Sequence, residues 1–181
     1  KGMANFMELA PRAQRQIIRR MEPLEPPALH QAQAAYGWLE LGNVEEAFAE
    51  LQRLPEELQS LPAVQAVRLD CLMAAKDWNE AVKLAQVLCG QWTEEPGLWL
   101  HHAYAARRCA GGSIEAAYEL LAPCVERFPE EWLIPYNVAC YLCQMERLDE
   151  ARAMLEMTRA KRGDRLDAMA KDDEDLAPLN L

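Results

Sequence analysis

Gly42-Asn43-Val44-Glu45-Glu46-Ala47 decides the fold, because the chain repeats its plan three more times. The counterparts are Lys76-Asp77-Trp78-Asn79-Glu80-Ala81, Gly112-Ser113-Ile114-Glu115-Ala116-Ala117 and Glu146-Arg147-Leu148-Asp149-Glu150-Ala151. Each is a short turn, then an apolar residue, then acid, then alanine. The closing alanines, Ala47, Ala81, Ala117 and Ala151, stand 34, 36 and 34 residues apart. A fixed period of this size marks stacked structural repeats: one unit cannot bury its own apolar face, and its neighbours bury it.

Working outward, both halves of each unit read as helices. Ala47, Leu51 and Leu54 have helical spacing, as do Ala81, Ala85 and Leu88, Ala117 and Leu121, and Ala151 and Leu155. The acids in the first turn of these second helices suit the positive end of the helix dipole. Ahead of each turn lies another apolar helix, whose small residue recurs at Ala35, Ala103 and Ala139, with Leu69 in the matching place. The two extra residues of the third unit fall at Gly111-Gly112, which reads as a longer turn. It is not a phosphate cradle, since no strand precedes it and no Lys-Ser/Thr follows. Prolines at 26, 27, 62, 96 and 129 mark where units begin, and Pro55 breaks or kinks the second helix of the first unit. No useful β-alternation is present.

Four units in phase resemble the tetratricopeptide repeat family over roughly residues 27–161. Unit one carries Ala35, Trp38, Gly42, Ala47 and Leu51; unit three carries Trp99, Ala103, Ala117, Leu121 and Pro129; unit four carries Val138, Ala139, Leu142, Ala151 and Leu155. Unit two fits at Leu69, Leu72 and Ala81, but Arg68 stands where leucine is usual. The resemblance implies an all-α right-handed superhelix of about four hairpins, in units 27–61, 62–95, 96–131 and 132–161. First helices would line a concave wall and second helices the convex back. Residues 3–26 read as a capping segment with a helix over Pro11–Met21, and 162–181 as a capping helix, Asp164–Lys171, followed by an acidic tail. Asp172-Asp173-Glu174-Asp175 reads as frayed, with Leu176 and Leu179 placed to dock back.

In this family ligands lie in the concave groove. The matching positions are Gln33, Tyr36 and Glu40 in unit one, and Asp70 and Met73 in unit two. Unit three gives Leu100, His101, Tyr104, Arg107 and Arg108; unit four gives Leu133, Tyr136, Asn137, Cys140 and Gln144. Tyr36, Tyr104 and Tyr136 read either as interface tyrosines or as packing between repeats. The family variant that clamps chaperone carboxylate tails is not expected: only Asn137 matches its set, and Glu40 and Asp70 would repel an acidic tail.

Composition narrows the partner classes. Nineteen Lys+Arg against 29 Asp+Glu give the 181-residue chain a net charge of −10, so phosphates are repelled and nucleic acid is not expected as a partner. The longest uncharged runs, Pro26–Leu39 and Trp132–Met145, fall short of the roughly 20 residues a membrane span needs. Lys1-Gly2 ahead of Met3 reads as a leftover of expression, and no signal peptide is legible, so a cytoplasmic protein is expected. Six cysteines without secretory context read as reduced thiols. Cys140-x-x-Cys143 lies mid-helix rather than at a helix start after a strand, and His101 and His102 diverge by about 100° on a helix. Neither a metal nor a cofactor is expected. No nucleophile triad or phosphate loop is legible, and an enzyme is not expected. Arg12, Arg15 and Arg19 share a face of the first helix, which either caps the acidic body or meets a partner.

The expected function is protein–protein interaction: an adaptor or assembly module holding a peptide, helix or subunit in its groove. The alternatives are a secretion-type chaperone and a structural unit that self-associates as a homo-oligomer.

Overall fold

The computed structural model describes residues 24–162 and 165–180, without the side chains of Arg165 and Asp167. The expected helix over Pro11–Met21, its arginine face and most of the 3–26 segment lie outside the described residues. All regular structure among the described residues is helical. The first hairpin pairs α1 (Ala28–Glu40) with α2 (Val44–Gln52), and a short α3 (Glu56–Gln59) follows. The second hairpin is α4 (Pro62–Ala75) and α5 (Trp78–Gln91). The third is α6 (Pro96–Ala106) and α7 (Ile114–Leu121), followed by a short α8 (Cys124–Arg127). The fourth is α9 (Leu133–Gln144) and α10 (Leu148–Arg162), and α11 (Arg165–Lys171) leads into a 3-10 turn over Glu174–Leu179. No helix among the described residues is long and apolar enough to cross a membrane.

Each hairpin packs on the next. Within hairpins α1 meets α2, α4 meets α5, α6 meets α7 and α9 meets α10; between hairpins α2 and α1 meet α4, α5 meets α6, and α7 meets α9. The residues that defined the period sit at these crossings. Ala35, Leu69, Ala103 and Ala139 on the first helices, and Ala47, Ala81, Ala117 and Ala151 on the second, are all 0% exposed. Alanine serves there because a small side chain lets two helices close on each other without leaving a void.

The turns repeat as well. Asn43, Asp77 and Ser113 cap the second helices, each side-chain oxygen accepting from the backbone N–H three residues on at 3.1–3.3 Å. One residue before the cap the backbone swings left-handed, at Gly42 (φ +75°), Lys76 (φ +59°) and Glu146 (φ +60°). The fourth unit has Arg147 in the cap position, and that side chain pairs with Glu150 instead. The longer third turn places its left-handed residue at Gly111 (φ +77°). A Cβ on the next residue, Gly112, would stand 2.0 Å from the Ala106 carbonyl oxygen, so only glycine fits.

Pro55 does interrupt unit one, ending the chain's path along α2 and opening α3. Pro62 and Pro96 begin α4 and α6 as expected, whereas the fourth unit's first helix starts at Leu133, after a turn that contains Pro129. The expected fraying of the acidic stretch is corrected. Asp173 is 3% exposed, Leu176 1% and Leu179 4%, and the 3-10 turn packs on α9, α10 and α11. A 3-10 turn eclipses positions i and i+3, so Leu176 and Leu179 enter the core from one side; Asp173 is buried with them, Asp175 is half-buried, and Asp172 and Glu174 are exposed.

Candidate functional site

The face formed by α1, α4, α6 and α9 carries the expected binding residues, and most of them are used up inside the molecule. In units one to three a polar chain crosses the helices. Tyr36 Oη on α1 donates to Asp70 Oδ2 on α4 at 2.6 Å. His101 Nε2 on α6 lies 3.5 Å from Asp70 Oδ1. All three are buried, so both ionisable partners resist charge. Burial raises the Asp70 carboxyl to about 7, against the lowering effect of the Tyr36 hydroxyl, and lowers the His101 imidazole to about 4. Met73, Leu100 and Leu133 are core side chains. His102 is buried beside His101, so both members of the pair are packed, where one had been expected in the groove.

Tyr104 is also covered. Its ring sits 5.7 Å from that of Trp78, and the Arg108 guanidinium carbon lies 3.6 Å from the Tyr104 ring centre. Arg108 also donates to the Tyr104 carbonyl at 3.2 Å, which holds the cation over the ring. Asn137 is buried, and its side chain turns back onto its own helix and donates to the Leu133 carbonyl at 2.8 Å. Gln33 and Glu40 are exposed on α1.

In units three and four the face is occupied by a stretch of the same chain. Tyr136 Oη donates to Asp173 Oδ2 at 2.7 Å, and Cys140 Sγ approaches the same oxygen at 3.9 Å. Arg107 Nη1 reaches Asp175 Oδ2 at 3.2 Å, with both side chains 14% exposed. Gln144 Nε2 donates to the Asp175 carbonyl at 3.1 Å. Asp173 Oδ1 also accepts from the Asp175 N–H at 3.0 Å, which sets the turn. Burial raises the Asp173 carboxyl above the usual carboxylate range and pushes the Cys140 thiol well up, with the neighbouring acids adding to it. Repulsion by Glu40 and Asp70 therefore does not govern this end of the face, where the acidic stretch pairs with Arg107.

All six cysteines are free thiols, and five of them are buried, Cys109 being half-buried. Cys140 and Cys143 lie in the last turns of α9, not at its start. Among the described residues no cluster of three or more His, Cys, Asp or Glu side chains has the arrangement of a metal site.

Sequence reasoning missed one further surface. A cleft of about 520 Å³ opens between α2, α4 and α5, lined by Phe48, Arg68, Leu72, Lys83, Leu84 and Val87. Arg68 is among its lining residues, with Gln65, Asp77 and Glu80 beside it.

No family model, no curated protein and no solved structure matches the chain.

Proposed function

We propose that the protein is an interaction module of the tetratricopeptide kind, a right-handed array of four hairpins whose first-helix face holds a short segment of a partner protein. One observation carries this reading. The face of α6 and α9 already holds a seven-residue stretch, Asp173–Leu179, through a tyrosine hydroxyl, a guanidinium and a side-chain amide. Arrays of stacked hairpins present many side chains along one wall, which suits recognition of an extended or singly turned peptide. A cytoplasmic setting fits six free thiols.

The test compares two faces. Partners are captured from the source cell on immobilised wild-type protein, on Arg107→Glu at the first-helix face, and on Val87→Glu at the cleft between α2, α4 and α5. Val87 is 55% exposed, so its change leaves the fold intact. A partner held by wild type and by Val87→Glu but lost by Arg107→Glu supports the reading. Retention by Arg107→Glu with loss by Val87→Glu moves the function to the cleft. Capture only of further copies of the chain identifies a self-associating unit instead.

A further inference from the structure

We infer that Asp173–Leu179 is a plug, and that the partner segment it excludes shares its chemistry: two acids one residue apart followed by two leucines, Asp-x-Asp-Leu-x-x-Leu. This rests on the interaction-module reading and names its ligand class.

The segment is held as a ligand would be. Its contacts come from side chains on two different repeats, Arg107 after α6 and Tyr136 and Gln144 on α9, and each meets a different group of the segment. The first acid meets a hydroxyl, the second a guanidinium, and the backbone carbonyl between recognition points meets an amide. The guanidinium and the hydroxyl alone would accept any anion. The two buried leucines add shape, because at i and i+3 of a 3-10 turn they project together. The partners in contact are 31 to 68 residues apart, so the site is built by the array and filled from outside it. In units one and two the same face carries a bond between neighbouring repeats, Tyr36 donating to Asp70. At units three and four a tyrosine of the face takes its carboxylate from beyond the repeats.

A tethered ligand competes through its effective concentration, on the order of millimolar for a short connection. If the segment's own affinity is about 100 µM, the plug weakens a free competitor by about tenfold. Such a barrier sets a threshold for the partner without shutting it out.

The experiment uses the full chain and a fluorescent synthetic peptide of residues 171–181. Leu176→Ser with Leu179→Ser frees the site; Asp175→Ala keeps both leucines and removes only the anchor to Arg107. The peptide binds wild type weakly, the Asp175→Ala chain more tightly, and the double-serine chain about tenfold more tightly than wild type. Adding Arg107→Ala to the double-serine chain removes most of that gain, and a peptide with both leucines changed to serine does not bind. Three results overturn the plug. In the first, neither freed chain gains affinity while both melt cooperatively. In the second, the double-serine chain has no cooperative melt and Asp175→Ala shows no gain, so the segment is part of the core. In the third, a freed chain dimerises and excludes the peptide, with a second copy as the occupant. None of these outcomes touches the two-face capture test: a partner lost by Arg107→Glu with no peptide binding leaves the interaction module standing and removes only the ligand class.

Discussion

Helices α1 and α9 hold the same place in the first and fourth units, yet they live in different surroundings. Of the thirteen residues of α1, four are buried: Ala28, Ala32, Ala35 and Tyr36. Of the twelve residues of α9, eleven are buried, Gln144 alone remaining outside. A helix buried on every side needs neighbours on every side. For α9 these are α7 and α8 from the preceding unit, its own partner α10, and the 3-10 turn laid across the remaining face. The two helices also differ in where their tyrosines find a carboxylate. Tyr36 uses Asp70, built into the next repeat at 2.6 Å, while Tyr136 uses Asp173 at 2.7 Å, delivered from outside the array. One bond joins two repeats; the other joins the fourth repeat to the segment that follows the array.

The largest expected effect tests that difference by leucine truncation. Leu69→Ala, at a 0% exposed crossing, costs about 2–5 kcal/mol, seen as a drop in the urea midpoint. Leu176→Ala starts in the same way, but its cost cannot exceed the docking free energy of the segment. Adding Leu179→Ala therefore costs less than its single change does, by about 0.5 kcal/mol or more. Strict additivity of the two would make the segment inseparable from the core.

A smaller effect is expected from acid, and it separates the members of the internal chain. Asp70 titrates near 7 in the folded state and near 3.8 unfolded, so the folded form binds the extra proton and stability falls as pH rises from about 4 to 7. His101 titrates near 4 folded and near 6.5 unfolded, so there the unfolded form binds the extra proton and stability rises from about pH 4 to 6.5. In wild type the two slopes oppose. Relative to wild type, Asp70→Asn gives a curve that climbs over this window, and His101→Gln one that descends. Denaturant melts at half-unit pH intervals read both, and parallel curves for all three proteins would break the linkage between the pair.

The smallest effect lies in the turns. Lys76 and Glu146 hold the left-handed backbone that Gly42 supplies in the first unit. A side chain in that conformation costs about 1 kcal/mol, part of which glycine returns through greater freedom in the unfolded chain. Lys76→Gly and Glu146→Gly are each expected to raise stability by about 0.5 kcal/mol, measured by thermal melting. A loss of stability in both would show that their side chains contribute contacts that outweigh the strain.

The periodic parts of the molecule were legible from residues alone. Eight small or leucine positions marked the helix crossings, Gly111-Gly112 marked the long turn, and Pro55 marked a break, because each follows from local geometry. The occupancy of the wall was not legible. Asp70 looks like a solvated acid until Tyr36, 34 residues earlier, is seen to donate to it. Asn137 has the composition of a binding residue, but its rotamer sends the amide to its own helix. The stretch from Asp172 to Asp175 is acidic enough to suggest fraying, and charge composition hides the leucine pair that anchors it. The spacing of Leu176 and Leu179 was the one available signal.

The distance along the chain between α9 and its cover also has a consequence for biosynthesis. Gln144 is translated 35 residues ahead of Leu179, and elongation runs at about 5–20 residues per second. The fourth unit's face therefore spends on the order of seconds uncovered in every newly made molecule, long against the microseconds in which a helical hairpin forms. For that interval a nascent chain offers Arg107, Tyr136 and two empty leucine sockets to whatever is nearby.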